Sequence, residues 1–402
     1  MRIVFYVLVT GVSALVTFGL AFLILKLSHR YRLYPKVRER DVHTRPTPRL
    51  GGIAMFIGMI VAFIVASRLP SMSLIFSEPL KVWGLFAAAL IIVLIGVADD
   101  IWDLDWMTKL AGQIIAGGVL AWSGIQIYTL PIFGGVTILS PTMSLVLTVL
   151  AVVLVMNAIN FIDGLDGLVA GVALIANGVF FIYSYILAIN TNQSEYFNLA
   201  SLISAVLIGA CIGFLPLNFH PAKLFMGDAG ALLVGLLMAA SAISVTGSVD
   251  PESLGGRQLL PAFIPILLPA AVLTLPLLDF ALAVIRRLLA GKSPFAADRK
   301  HLHHRLMDMG HSHLQSVLVF YSWTAVVAVG CLSFMFVPWY GSTIFIAVGF
   351  VVCTFLTLGP LRRRIMRTPR LDSDPVVFPD AVTTPAASTS EDRISDPERS
   401  PQ

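Results

Sequence analysis

The chain has 402 residues, of which 57% are hydrophobic and 12% charged, and its mean hydropathy is +0.86. Such a composition excludes a soluble globular domain and describes an integral membrane protein, in which length sets the number of spans and no nucleic-acid partner is expected. The net charge of +4 matters through where the cations lie.

In chain order, apolar runs of the ~20 residues needed to cross a bilayer core fall at 3–25, 51–68, 80–98, 107–124, 142–159, 168–189, 199–217, 229–246, 261–285, 316–336 and 340–360. They predict an all-α membrane protein of about eleven helices. The first run is too long for a signal peptide and no small-residue cleavage site follows it, so it reads as a retained helix. Residues 126–139 alternate apolar positions around Gly134 and predict a short outward hairpin. Pro261, Pro265, Pro269 and Pro276 remove backbone donors from segment 9 and predict a kink there. Residues 1–367 form the membrane domain, and 368–402, rich in Pro, Ser, Thr, Asp and Glu, read as a disordered tail. Cys211, Cys331 and Cys353 stand alone in apolar runs, with neither metal-ligand nor disulfide spacing.

Lys and Arg crowd the connections after segments 1 and 9 and the stretch after segment 11, which begins with Arg362, Arg363 and Arg364. The even-numbered connections are nearly free of them. By the positive-inside rule the N-terminus is outside, and the odd connections and C-terminus are cytoplasmic. The polar stretches around His43 to Arg49, Asp99 to Asp105, Asn157 to Gly167, Phe225 to Gly230 and Asp298 to Arg305 all lie in odd connections. Carboxylates, imidazoles and cations gathered on one face read as one site at the cytoplasmic surface.

Asp99, Asp100, Asp103 and Asp105 beside Lys109 form a run of like charges that a cation would offset. Hard oxygen donors suit Mg²⁺, with Mn²⁺ as the alternative; the competing reading is a solvated acidic loop. Asp228, between Gly227 and Gly230, suits metal binding or the N-cap of the next helix. His301, His303 and His304 sit among Arg299, Lys300 and Arg305, which favours an anion over a second metal. His43, His220, His311 and His313 read as surface or structural.

Five stretches carry a resemblance: Arg-Pro-Thr-Pro-Arg-Leu-Gly-Gly at 45–52, Asp-Asp-Ile-Trp-Asp at 99–103, Asn-Phe-Ile-Asp-Gly-Leu-Asp-Gly at 160–167, Met-Gly-Asp at 226–228 and His-Leu-His-His at 301–304. In this order they resemble the polyprenyl-phosphate N-acetylhexosamine-1-phosphate transferases, from segment 1 to segment 11. The resemblance implies transfer of N-acetylglucosamine 1-phosphate from UDP-N-acetylglucosamine to a polyprenyl phosphate in the bilayer, undecaprenyl or decaprenyl, with release of UMP. This would be the first lipid-linked step of a cell-envelope polysaccharide, at the plasma membrane. It implies Mg²⁺ on Asp228 with Asp100, catalytic roles for Asp99, Asp100, Asp163 and Asp166, and substrate binding by Arg45, Lys109, Asn160, Arg299, His301, His303 and His304. A homodimer stays open beside a monomer. The muramoyl-pentapeptide branch is the alternative; it carries adjacent histidines where Leu302 intervenes here. An ion-coupled transporter, the rival from another class, would place polar groups within spans and on both faces.

Overall fold

A computed structural model describes residues 2–31, 47–132, 135–190, 194–246, 274–289, 291 and 302–366. The described elements are α1 (Arg2–Tyr31), α2 (Gly51–Ser67), a 3₁₀ helix (Pro70–Phe76), α3 (Pro79–Trp102), α4 (Trp106–Trp122), β1 (Thr129–Ile132), β2 (Gly135–Ile138), α5 (Pro141–Ile162), α6 (Leu168–Asn190), α7 (Ser194–Asn218) and α8 (Gly227–Thr246). They continue with α9 (Thr274–Leu289), α10 (Leu302–Asp308), α11 (His313–Ser333) and α12 (Trp339–Met366). The protein is an all-α integral membrane protein, as helices satisfy their own backbone groups where no water can.

Among the described residues, eight helices are long and apolar enough to cross a membrane: α1, α3, α5, α6, α7, α8, α11 and α12. The other three expected spans differ in kind. α2 has 17 residues and turns by 113° into the 3₁₀ helix, α4 also has 17, and of segment 9 only the part from Thr274 is described. Its expected kink at Pro261 to Pro269 lies outside the described residues, as does the tail beyond 366.

Local sequence sets the helix ends. Pro141 follows the Ser140 cap of α5, whose hydroxyl accepts the Met143 N–H, and α11 opens with a capping box of Ser312 and Gln315. α3 stops at Asp103, which takes a left-handed conformation with φ 54°. The expected hairpin forms as an antiparallel pair, with Thr129 opposite Ile138 and Ile132 opposite Gly135. It joins the ends of α4 and α5 that lie away from the site described below.

α8 is the hub. It packs against α2, α3, α5, α6 and α7, and its apolar window is 83% buried, against 11% for α12. Apolar side chains in lipid gain little from burial, so helices associate through close backbone approach and polar contacts. A Cβ on Gly52 would lie 2.3 Å from the Gly230 nitrogen, and one on Gly96 would lie 2.3 Å from Ala229 Cα. The Gly51 and Gly52 N–H groups at the start of α2 donate to Phe225 O at 3.1 Å and Met226 O at 2.9 Å, while the Phe225 N–H donates to Pro48 O at 2.8 Å. The start of α2 is thereby stitched to the turn that opens α8.

Candidate active site

Several polar stretches expected as loops are helix ends. Asp99 and Asp100 belong to the last turn of α3, Asn157 and Asn160 to the end of α5, and Asp228 to the first turn of α8. The helical backbone extends past the apolar run because it satisfies its own hydrogen bonds there, leaving the side chains free to converge.

The centre is Lys109, in the first turn of α4. Its Nζ lies 2.7 Å from Asp99 Oδ2 and 3.1 Å from Asp228 Oδ2, joining α3, α4 and α8. The Asp99 side chain is 2% exposed and Lys109 26%, so the pair sits at the inner wall of the site. Asp99 Oδ1 accepts the Leu104 N–H at 2.8 Å, and Asp228 Oδ1 accepts Asn160 Nδ2 at 3.2 Å. One turn deeper, Asn157 Nδ2 donates to the Gln113 carbonyl and to Val153 O at 2.8 Å, which holds α4 to α5 beneath Lys109 and Asn160.

Asp100 points at the start of α8. Its Oδ1 accepts the Asp228 N–H at 3.3 Å, a carboxylate at a helix N-terminus, where the backbone dipoles favour negative charge. Among the described residues its buried Oδ2 has no hydrogen-bond partner. Gly227 has φ 71°, and a Cβ there would lie 2.2 Å from Arg49 O and 2.4 Å from Asp100 Oδ2, so glycine is required on both counts.

Asp163 follows α5. Its side chain is exposed. Partial loss of hydration, and then the Asp228 carboxylate, push its pKa up to about 7. Arg49 opposes the rise and also acts on Asp100. Among the described residues the site thus gathers Asp99, Asp100, Asp163 and Asp228 against Lys109 and Arg49, formally two negative charges in excess. That excess, the unsatisfied Asp100 Oδ2 and the all-oxygen donor set fit a hard divalent cation.

The acidic run divides. Asp103 forms the turn after α3, and Asp105 caps α4, accepting the Thr108 N–H at 3.1 Å and its hydroxyl at 2.6 Å, contacts that hold its carboxyl below the ordinary range. For Asp105 the solvated-loop reading holds, because a short polar side chain at an N-cap position is used up locally. The Asp166 carboxylate is likewise taken up elsewhere: it accepts from His220 Nδ1 at 2.8 Å and from the Ala222 N–H at 3.1 Å, and does not join Lys109.

Arg45, Arg299 and His301 lie outside the described residues, as do the side chains of His303 and His304, whose backbones belong to α10. Among the residues read as surface or structural, His220 and His313 stack near Asp166, and His311 Nε2 lies 2.9 Å from Thr357 O. Sequence reading missed Gln113, Asn218 and Tyr321 as well; an isolated polar residue in an apolar run is the one signal they carry.

The helix ends of this multi-pass protein bring carboxylates, an amide and an ammonium together at one end of the bundle. Within the described spans many buried polar groups bond to carbonyls one turn back in their own helix, as Thr324 Oγ1 does to Phe320 O at 2.9 Å, and some reach a neighbouring helix, as with Ser13 Oγ to Val206 O at 2.8 Å and Ser184 to Ser201 at 2.9 Å. The family described as Glycosyl transferase family 4 matches residues 82–246. The chain is 41% identical over 355 residues, 88% of its length, to the decaprenyl-phosphate N-acetylglucosaminephosphotransferase of Mycobacterium leprae, covering 89% of that protein. It is 40% identical over 355 residues to the protein of the same name from Mycolicibacterium smegmatis, with 88% and 87% covered. A probable undecaprenyl-phosphate N-acetylglucosaminyl 1-phosphate transferase of Bacillus subtilis is 33% identical over 288 residues, with 70% and 72% covered. The chain belongs to glycosyl transferase family 4.

Proposed function

We propose that the protein transfers N-acetylglucosamine 1-phosphate from UDP-N-acetylglucosamine to a polyprenyl phosphate, releasing UMP and leaving polyprenyl-diphospho-N-acetylglucosamine in the membrane. The observation that carries this is the identity of 40–41% over 88% of the chain to transferases named for decaprenyl phosphate and N-acetylglucosamine. Decaprenyl phosphate is therefore the acceptor to test first. The charge asymmetry of the connections supports a cytoplasmic site in the plasma membrane, where UDP-sugars are available.

Two anions must meet, so the residues first have to offset charge. Lys109, held by buried Asp99, supplies an ammonium in the wall of the site, where it would hold the acceptor phosphate in line with the donor. Asn160 fixes one oxygen of Asp228 and Lys109 the other, so that carboxylate is oriented before substrate arrives. Asp163 stands across the recess, where it would orient the nucleotide sugar. Mg²⁺ held by Asp228 with Asp100 would supply Lewis-acid polarisation of the donor diphosphate. The acceptor phosphate is already ionised near neutral pH, so no side chain need act as base. Arg45, Arg299, His301, His303 and His304 would grip the donor's phosphates or sugar, and Asp166 would act by holding its turn.

Purified protein given UDP-N-acetylglucosamine, decaprenyl phosphate and Mg²⁺ is expected to release UMP and form a lipid-linked sugar. Absence of both products, with UDP-N-acetylgalactosamine and UDP-N-acetylmuramoyl-pentapeptide also tried as donors, would exclude the activity.

A further inference from the structure

We propose that Asp166, His220 and His313 form a positioning latch, which joins the α5–α6 turn to the α7–α8 turn and to the start of α11 and so sets where Asp163 stands relative to Asp228. The inference rests on the proposed function only in giving Asp163 the donor side of the site. The latch residues are separated by 54 and 147 positions in sequence, so only the fold brings them together.

The geometry is reciprocal. Asp166 Oδ2 accepts from His220 Nδ1 at 2.8 Å and from the Ala222 N–H at 3.1 Å, while the Asp166 N–H donates to His313 Nε2 at 2.9 Å. His313 Nε2 is therefore an acceptor and its proton resides on Nδ1, whereas His220 carries a proton on the Nδ1 that faces the carboxylate. The two rings stack, with centroids 4.5 Å apart and planes inclined by 19°. The next residue is held as firmly: the Gly167 N–H donates to Asn218 Oδ1 at 3.1 Å, the Tyr321 hydroxyl donates to Gly167 O at 2.5 Å, and Asn218 Nδ2 donates to Leu224 O at 3.1 Å. Gly171 makes room for that tyrosine, since a Cβ there would lie 2.0 Å from its hydroxyl oxygen.

A carboxylate only 1% exposed is costly unless it is bonded, so these contacts do more than decorate a turn. Asp166 is three residues from Asp163, and Ala222 and Leu224 precede Asp228 on the other connection. The latch thus fixes the spacing of two walls of the site from outside it. Its ligand-type atoms lie within 4.8 Å of one another, close enough to suggest a metal. However, the His313 Nε2 lone pair receives the Asp166 N–H and Asp166 Oδ2 already accepts two hydrogens, so these two ligand-type atoms are already engaged in hydrogen bonds.

The test compares His313→Ala with His313→Gln, whose amide oxygen can accept where Nε2 did, and His220→Ala with His220→Asn, whose amide nitrogen can donate where Nδ1 did. Full-length protein is assayed for amide hydrogen exchange over residues 160–168 and for KM toward each substrate. His313→Ala and His220→Ala are expected to speed exchange at this turn by about tenfold or more and to raise the donor KM about fivefold or more, with the acceptor KM within about twofold. The Gln and Asn variants should return both readouts to within about threefold of the parent. Unchanged exchange in both alanine variants would overturn the latch, as would donor and acceptor KM rising together without rescue. If an alanine variant fails to fold, its amide counterpart decides alone, since parental exchange and donor KM are required of it. Exchange needs no turnover, so an inactive parent protein would sink the proposed function while leaving the latch to be judged on exchange.

Discussion

At the residue scale, the site depends on charge balance in a half-buried recess. Lys109 neutralises Asp99, and removing one partner of a buried pair typically costs 3–5 kcal/mol through the charge left behind; because Lys109 is 26% exposed, the lower half of that range is expected. Lys109→Met should therefore lower the unfolding midpoint and reduce transfer by at least about a hundredfold, whereas Lys109→Arg should retain stability and lose mainly turnover. Parallel melting and transfer assays check this. Asp163 gives a pH prediction. Its folded pKa of about 7 lies above the ordinary carboxylate value of about 4, so between these the folded state binds more protons than the unfolded one. The stability it contributes is present below about pH 4 and lost as pH rises through 7. Metal-free protein should melt at progressively lower temperature from pH 5 to 8, Asp163→Asn should flatten that slope, and excess Mg²⁺ should offset the loss at the alkaline end.

At the element scale, helix ends are brought into register by glycines and by polar pairs below them. Gly96→Val would force a side chain against Ala229 Cα, where the present gap allows none. Overpacking of this kind costs about 1–3 kcal/mol, and moving α3 from α8 should separate Asp100 from the Asp228 N–H. Lower melting temperature with loss of transfer is expected, while Gly118→Val, where a Cβ meets nothing within 4 Å, should leave both unchanged. Gln113 and Asn157 exchange hydrogen bonds across α4 and α5, so a double-mutant cycle with Gln113→Leu and Asn157→Leu should give a coupling energy of about 0.5–1.5 kcal/mol. Additive effects would show that the pair does not hold these helices.

At the scale of the whole molecule, the N-termini of α2, α4, α8 and α11 and the C-termini of α3, α5 and α7 meet at one end, and the β1–β2 hairpin lies at the other. If the site end faces the cytoplasm, Asp308→Cys should react with an impermeant thiol reagent only in inverted vesicles and Ser77→Cys only in intact cells; both positions are exposed. The reverse pattern would overturn the proposed orientation. The sequence by itself determined the membrane class, most helix spans, the hairpin and the gathering at one end of the stretches around Asp99, Asn160 and Asp228, because apolar run length and spacing are local properties. It also marked Asp99, Asp100, Lys109, Asn160 and Asp228. Only the tertiary structure decided that Lys109 bridges Asp99 and Asp228 and that Asp166 belongs with His220 and His313. The Lys109–Asp228 and Asp166–His313 pairs are set by which helix ends pack together, and packing across 119 and 147 residues leaves no periodic trace in the chain.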